Sequence, residues 1–235
     1  MFHGYPSLGG EDPFSNRYQN IAGTLPAPLA LGSEYRGWNG AVFRYIKASS
    51  AIALGEGCEL DALTNLATFA GITVTDHQRI GGLTGLTAGA HVGKLLYINT
   101  GTAANACRTI IANGTNFIVV DRPYVTDPGA TSNFDAIPTW HVNAADAAID
   151  KIVGISSVSA ITSGNFGWIQ TSGLCEHILA GTGGVTVNLQ FRYVTDGVTN
   201  VAATDNDTMM TLGTSLATAS AAETFPGFLY GCMAI

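Results

Sequence analysis

Turn-forming residues interrupt this chain roughly every ten to fifteen residues, a spacing that leaves room for short strands and little room for long helices. Between the interruptions lie runs rich in β-branched and aromatic residues: AVFRYIKAS at 41–49, GITVTDH at 71–77, KLLYINT at 94–100, KIVGISSV at 151–158 and VTVNLQFRYVT at 185–195. GWIQTSG and LCEHILA follow one another over 167–180, and FLYGCMAI closes the sequence. Asn113-Gly114 stands between the apolar runs CRTIIA and TNFIVV, the strongest short-range signature of a β-hairpin. Helical patterning is confined to NAADAAIDKI (143–152), with Asn143 as N-cap, and to SLATASAAE (215–223), where Ser and Thr weaken it. No tandem repeat of fixed period is visible. The expected fold is mainly β, with a sandwich or barrel-like body and little helix.

Residues 1–37 have a different texture. They hold four of the eight prolines, Pro6, Pro13, Pro26 and Pro28, which forbid a continuous helix. They also hold Phe2, Tyr5, Phe14, Tyr18 and Ile21, too apolar a set for a simple linker. The chain therefore reads as an extended N-terminal arm over 1–37 and a β-rich body over 38–235. Fully extended, such an arm reaches on the order of 100 Å, and its aromatic side chains are expected to anchor on another surface. A segment wrapped round its own domain is the alternative.

Charge narrows the partners. Only 11% of residues are charged, there are only three lysines (Lys47, Lys94 and Lys151), and the net charge is −7. An average soluble domain carries roughly 25% charged residues, so much of this surface falls to Thr, Ser, Asn, Ala and Gly. Such a surface suits a protein whose faces are covered by neighbours. No basic stripe exists to neutralise phosphates, which argues against nucleic acid. The opening MFHGYPSLGGEDPF has neither a basic nor an apolar leader region, and no apolar run approaches membrane-spanning length. The expectation is a soluble chain made in a cytosol. Cys58, Cys107, Cys175 and Cys232 are widely spaced with no zinc pattern, and read as small buried hydrophobes, with a disulfide pair as the alternative.

The segment ITSGNFGWIQTSG (161–173) carries three glycines, a Phe and Trp168, and no charge. Ser163-Gly164-Asn165 supplies a turn, after which Phe166, Trp168 and Gln170 share one strand face. Gly167 between the two rings suggests close approach by another group. Phe166 and Trp168 are thus expected as core or interface anchors. Elsewhere the search for chemistry finds little. The histidines form no HxH or HExxH set. Asp76-His77 and Glu176-His177, placed on strands, would point to opposite faces, and Cys175 and His177 would share one, but no orienting group accompanies that dyad. Asp205-Asn206-Asp207-Thr208 lacks the Gly and distal Glu of a calcium loop. GGLTGLTAG (81–89) lacks the Gly-Lys-Ser/Thr of a phosphate cradle and reads as a flexible loop. No catalytic, cofactor-binding or metal-ligating residue is expected.

Three stretches carry a resemblance: GAVFRYIKASSAIALGEGCEL, KIVGISSVSAITSGNFGWIQTSG and LGTSLATASAAETFPGFLYGCM. In a first strand leading to a Gly-bounded turn, a Gly-aromatic-Gly-Trp-apolar-Gln hairpin and an Ala-rich closing segment before a last strand, the body resembles the capsid decoration, or cement, proteins of tailed bacteriophages. The resemblance implies a structural virion protein on the capsid exterior, often a homotrimer, which clamps neighbouring major capsid protein subunits and needs no cofactor. In that setting Phe2, Tyr5, Phe14, Tyr18 and Ile21 are the expected capsid contacts. Another phage part (tail tube, fibre or head-closure protein) and a carbohydrate-binding β module are the alternatives.

Overall fold

The computed structural model describes residues 12–15, 17–22, 27–37, 40–62, 64–68, 72–145, 152–194, 197–200 and 211–231, and every regular element among them is a β-strand. Where the sequence suggests one body over 38–235, the contacts separate two units, Met1–Leu60 with Val142–Ile235, and Asp61–His141. Each has its own apolar core. Leu60 pairs directly with Val142, so the chain leaves the first unit and re-enters it on neighbouring antiparallel strands. An insertion at that point leaves the hydrogen bonding of the host sheet uninterrupted.

The first unit starts with β1 (Glu34–Arg36), β2 (Val42–Ala48) and β3 (Gly57–Leu60). The second unit contributes β4 (Thr64–Thr68), β5 (Thr73–Thr75), β6 (Arg79–Gly81), β7 (Leu95–Thr100), β8 (Cys107–Asn113), β9 (Phe117–Val120) and β10 (Asn133–Ile137). The chain then returns through β11 (His141–Ala144), β12 (Ile152–Ile155) and β13 (Phe166–Leu179) to β14 (Gln190–Val194), β15 (Gly197–Asn200), β16 (Gly213–Ser215) and β17 (Thr224–Leu229).

In the first unit the sheet order is β1-β2-β11-β3-β12-β13-β17-β16-β14-β15, and a further pairing of β2 with β13 closes β2, β11, β3, β12 and β13 into a small barrel. Closure removes the exposed strand edges that a short open sheet would leave. The remaining run curls back toward β13 through a parallel bridge between Ala180 and Val198. The long strand β13 thus serves both halves. Its continuity depends on Gly173, at φ +85, where a Cβ would lie 2.6 Å from the Ala41 nitrogen. Only glycine accepts that backbone at that distance, and GWIQTSG and LCEHILA accordingly form one strand of 14 residues.

One face of β1, β2 and β13 carries an aromatic cluster of Tyr35, Phe43, Tyr45, Phe166 and Trp168. The opposite face of the same strands carries Ile46, Ala48 and Ile169, all fully buried. Farther along, Cys175, Ile178, Phe191, Tyr193, Phe225 and Leu229 form the core of the second half. Neither expected helix is seen. Asn143 and Ala144 lie in β11 and Ile152 in β12, while 146–151 fall outside the described residues. In 215–223 the side chains compete for the backbone: Ser215 Oγ donates to the Leu189 carbonyl, and Glu223 Oε2 accepts from Ser220 N–H.

The second unit is a sheet ordered β4-β10-β7-β8-β9-β6-β5 over a core that includes Ile80, Leu96, Ile98, Ile110, Ile118 and Phe134. Strands β8 and β9 form the hairpin signalled by Asn113-Gly114. Asn113 ends β8 with its side chain accepting from His91 N–H and donating to the Thr87 carbonyl. A Cβ on Gly114 would lie 2.4 Å from the Phe117 ring, so any larger residue there would have to displace that ring. The glycine-rich loop 81–89 is pinned, not loose: Leu83 and Leu86 are buried in this core. Asp76-His77 lies in the turn between β5 and β6, both residues at positive φ, instead of on a strand.

Candidate functional site

Phe166 and Trp168, each 1% exposed, hold the centre of the aromatic cluster. What covers them comes from the chain's own beginning. The Trp168 indole Nε1–H donates to the Pro13 carbonyl at 2.8 Å, and Trp168 N–H donates to Gln19 Oε1 at 2.8 Å. Ile21 and Phe166 exchange both backbone hydrogen bonds, at 3.0 and 2.8 Å. Phe14 meets Phe43, Tyr35 and Trp168 edge-on, with ring centroids 4.8, 5.5 and 6.5 Å apart. Tyr18 joins the same buried cluster. Gly167 allows the approach, since a Cβ there would come within 3.2 Å of the Gln19 amide.

This placement corrects the expected role of the arm. Phe14, Tyr18 and Ile21 are used on the chain's own body, because one face of β2 and β13 is aromatic and demands a cover that residues 12–22 supply. Phe2 and Tyr5, named with them as capsid contacts, lie outside the described residues. So do Asp205–Thr208 and Cys232.

The Cys175–His177 pairing does not form a reactive centre. A register shift between Cys175 and Ile178 breaks the alternation of β13, so Cys175 and Ile178 both enter the core while His177 is only partly buried. Burial pushes the Cys175 thiol up to about 12, and its S–H donates to the His177 carbonyl. The thiolate a nucleophile needs is scarce at neutral pH. Cys58, Cys107 and Cys175 are all free thiols.

Two surface features remain. The first is a cleft of about 390 Å³ beside the aromatic cluster. Asp12 and Phe14 form one wall, and Ala41 and Phe43 the start of β2 beside it. Ser157 and Val158 face them, while Gln170, Leu174, Glu176 and His177 of β13 complete the lining. The second is the outward face of β14, β16 and β17. Register places Phe228 beside Thr214 and Thr214 beside Gln190. Strand alternation puts Pro226, Phe228 and Tyr230 on that side, with Phe225 and Leu229 in the core. Phe228 is 45% exposed, Tyr230 52%, and Leu216, Leu189 and Val187 stand exposed in the adjoining connections. From Ile178 to Phe191 and from Thr211 to Ala222 the sequence holds no charged residue, and Arg192, between the buried Phe191 and Tyr193, is a charged side chain on the outward side of β14.

Sequence reasoning missed both features. The second had a signal: in TFPGFLYG large apolar residues occupy both alternating sets, which one buried face does not require. The cleft had none, since its walls come from four separate segments.

No known protein family, characterised protein or solved structure matches this chain.

Proposed function

We propose that this chain is a structural virion protein that binds and stabilises the outside of an icosahedral phage capsid. The observation that carries the proposal is the pair of exposed rings Phe228 and Tyr230, with centroids 6.3 Å apart, on the outward side of β14, β16 and β17, beside Gln190, Thr214 and Arg192. Large rings left exposed on a sheet face in this way fit a protein–protein contact. The low overall charge supports the same reading, as does the resemblance of three sequence stretches to cement proteins. The hydrogen bonds that tie the N-terminal segment over Trp168 to the barrel fit a mechanical role. The partner is the major capsid protein, and the working form is a homotrimer on the capsid exterior.

Binding of this type gains strength by repetition. A stable contact buries about 1,200–2,000 Å², and a trimer that engages several neighbours at once converts modest contacts into tight retention. The test is the mass of the purified chain in solution followed by co-sedimentation with emptied heads of tailed phages. A compact trimer that pellets with heads supports the proposal. A monodisperse monomer that stays in the supernatant overturns it.

A further inference from the structure

We propose that the cleft beside the aromatic cluster receives a cationic side chain, arginine above all, presented by a partner protein. The proposal rests on the reading of this chain as a protein-docking module and supplies a specific anchor for it. Two carboxylates, Asp12 and Glu176, line the cleft with His177, and no lysine or arginine does among the described residues. Asp12 spends Oδ1 on Phe14 N–H at 2.9 Å, and neither carboxylate has an ion-pair partner among the described residues. The chain as a whole carries −7, so its field draws basic groups toward it.

The other walls fit the rest of such a side chain. Phe14, which is only partly buried, offers aromatic surface to a guanidinium, and Val158 and Leu174 offer apolar contact to its stem. A volume of about 390 Å³ lies at the small end of the roughly 300–1,000 Å³ of ligand pockets, enough for one long side chain and its backbone. A sugar ring fits the chemistry less well, because the polar floor is already satisfied internally. Ser157 Oγ donates to Gln170 Oε1 at 2.9 Å, and Gln170 Nε2 donates to the Ser172 and Leu174 carbonyls at 3.0 and 2.8 Å. An anion is disfavoured by the two carboxylates.

The probe is N-acetyl-arginine amide titrated into the full chain and followed through backbone amide NMR shifts. Saturable shifts are expected at Asp12, Phe14 and residues 173–177. The neutral isostere N-acetyl-citrulline amide should bind about tenfold more weakly, as should arginine amide to the double variant Asp12→Asn, Glu176→Gln, the loss expected for hydrogen bonds to a charged group. The Asp12→Asn change keeps a side-chain oxygen for Phe14 N–H, so an unchanged melting temperature checks that the variant is folded. Equal binding of citrulline amide, saturation by maltose at the same amides, or no saturable shift would each overturn the proposal. The titration contains no capsid. Arginine binding with no head binding counts against the capsid reading alone, and head binding with no arginine binding counts against the cleft alone.

Discussion

On β13 the face that carries Phe166 and Trp168 is roofed by residues 12–22 of the same chain, whereas on β17 the face that carries Phe228 and Tyr230 stands half open. Both are outward faces of one continuous sheet, and both are richer in large rings than a solvated face requires. The first is finished intramolecularly, with two hydrogen bonds to Trp168, a two-way backbone bridge at Ile21 and the Phe14 ring wedged among three others. The second has no such cover among the described residues, and it carries Arg192 on β14. The lesson is that an apolar face can take its cover from its own chain, and the half-open face at Phe228 is the one on which the proposed docking rests.

The comparison can be broken hardest at the roof. Removing residues 1–22 strips Phe14 and Tyr18 from the aromatic cluster and leaves Trp168 without its Pro13 and Gln19 partners. A fall in melting temperature of about 10 °C or more is expected, at roughly 2–4 °C per kcal/mol for a domain of this size. A truncated chain that melts with the intact one would show that the roof is ornamental. Trp168→Ala should cost about 3–5 kcal/mol in denaturant unfolding, the range for emptying a large buried aromatic site. Trp168→Phe, which loses chiefly the bond to the Pro13 carbonyl, should cost about 1–3 kcal/mol.

An effect that appears only at alkaline pH reads the inner side of β13. Because burial raises the Cys175 thiol from 9.0 to about 12, the folded chain keeps its proton at pH values where the unfolded chain has lost it. The stability this residue contributes is therefore complete below about pH 9 and is lost as pH rises toward 12, by at most about 1.4 kcal/mol per pH unit. Cys175→Ala should flatten that part of the pH profile, and a thiol reagent at pH 8 should leave Cys175 unlabelled until the protein unfolds. The smallest stability effect is expected at the open face. Phe228→Ser with Tyr230→Ser should change stability by roughly 0.5 kcal/mol or less per site, as for exposed positions.

Much of the strand inventory was legible because its signals are local. The alternation of Phe166, Trp168 and Gln170, the runs that became β2, β5 and β7, and the hairpin at Asn113-Gly114 follow from residues that are neighbours in sequence. What was not legible depends on partners far along the chain. Closure of the barrel rests on β2 meeting β13 across more than a hundred residues. The division at Leu60 and Val142 rests on a pairing of the same kind. The bulge that separates Cys175 from His177 is set by the register with β17, which no pattern within LCEHILA reveals. For the arm, the sequence marked Phe14, Tyr18 and Ile21 as anchors without saying whose surface they enter. The answer lies in the aromatic face of the chain's own β2 and β13.

The most direct test of the account is a co-sedimentation isotherm on emptied tailed-phage heads, run side by side for the intact chain and the Phe228→Ser, Tyr230→Ser variant. The account predicts saturable pelleting of the intact chain, and loss of pelleting by the variant at an unchanged melting temperature. Equal retention of both proteins would contradict the claim that the open face is the docking surface.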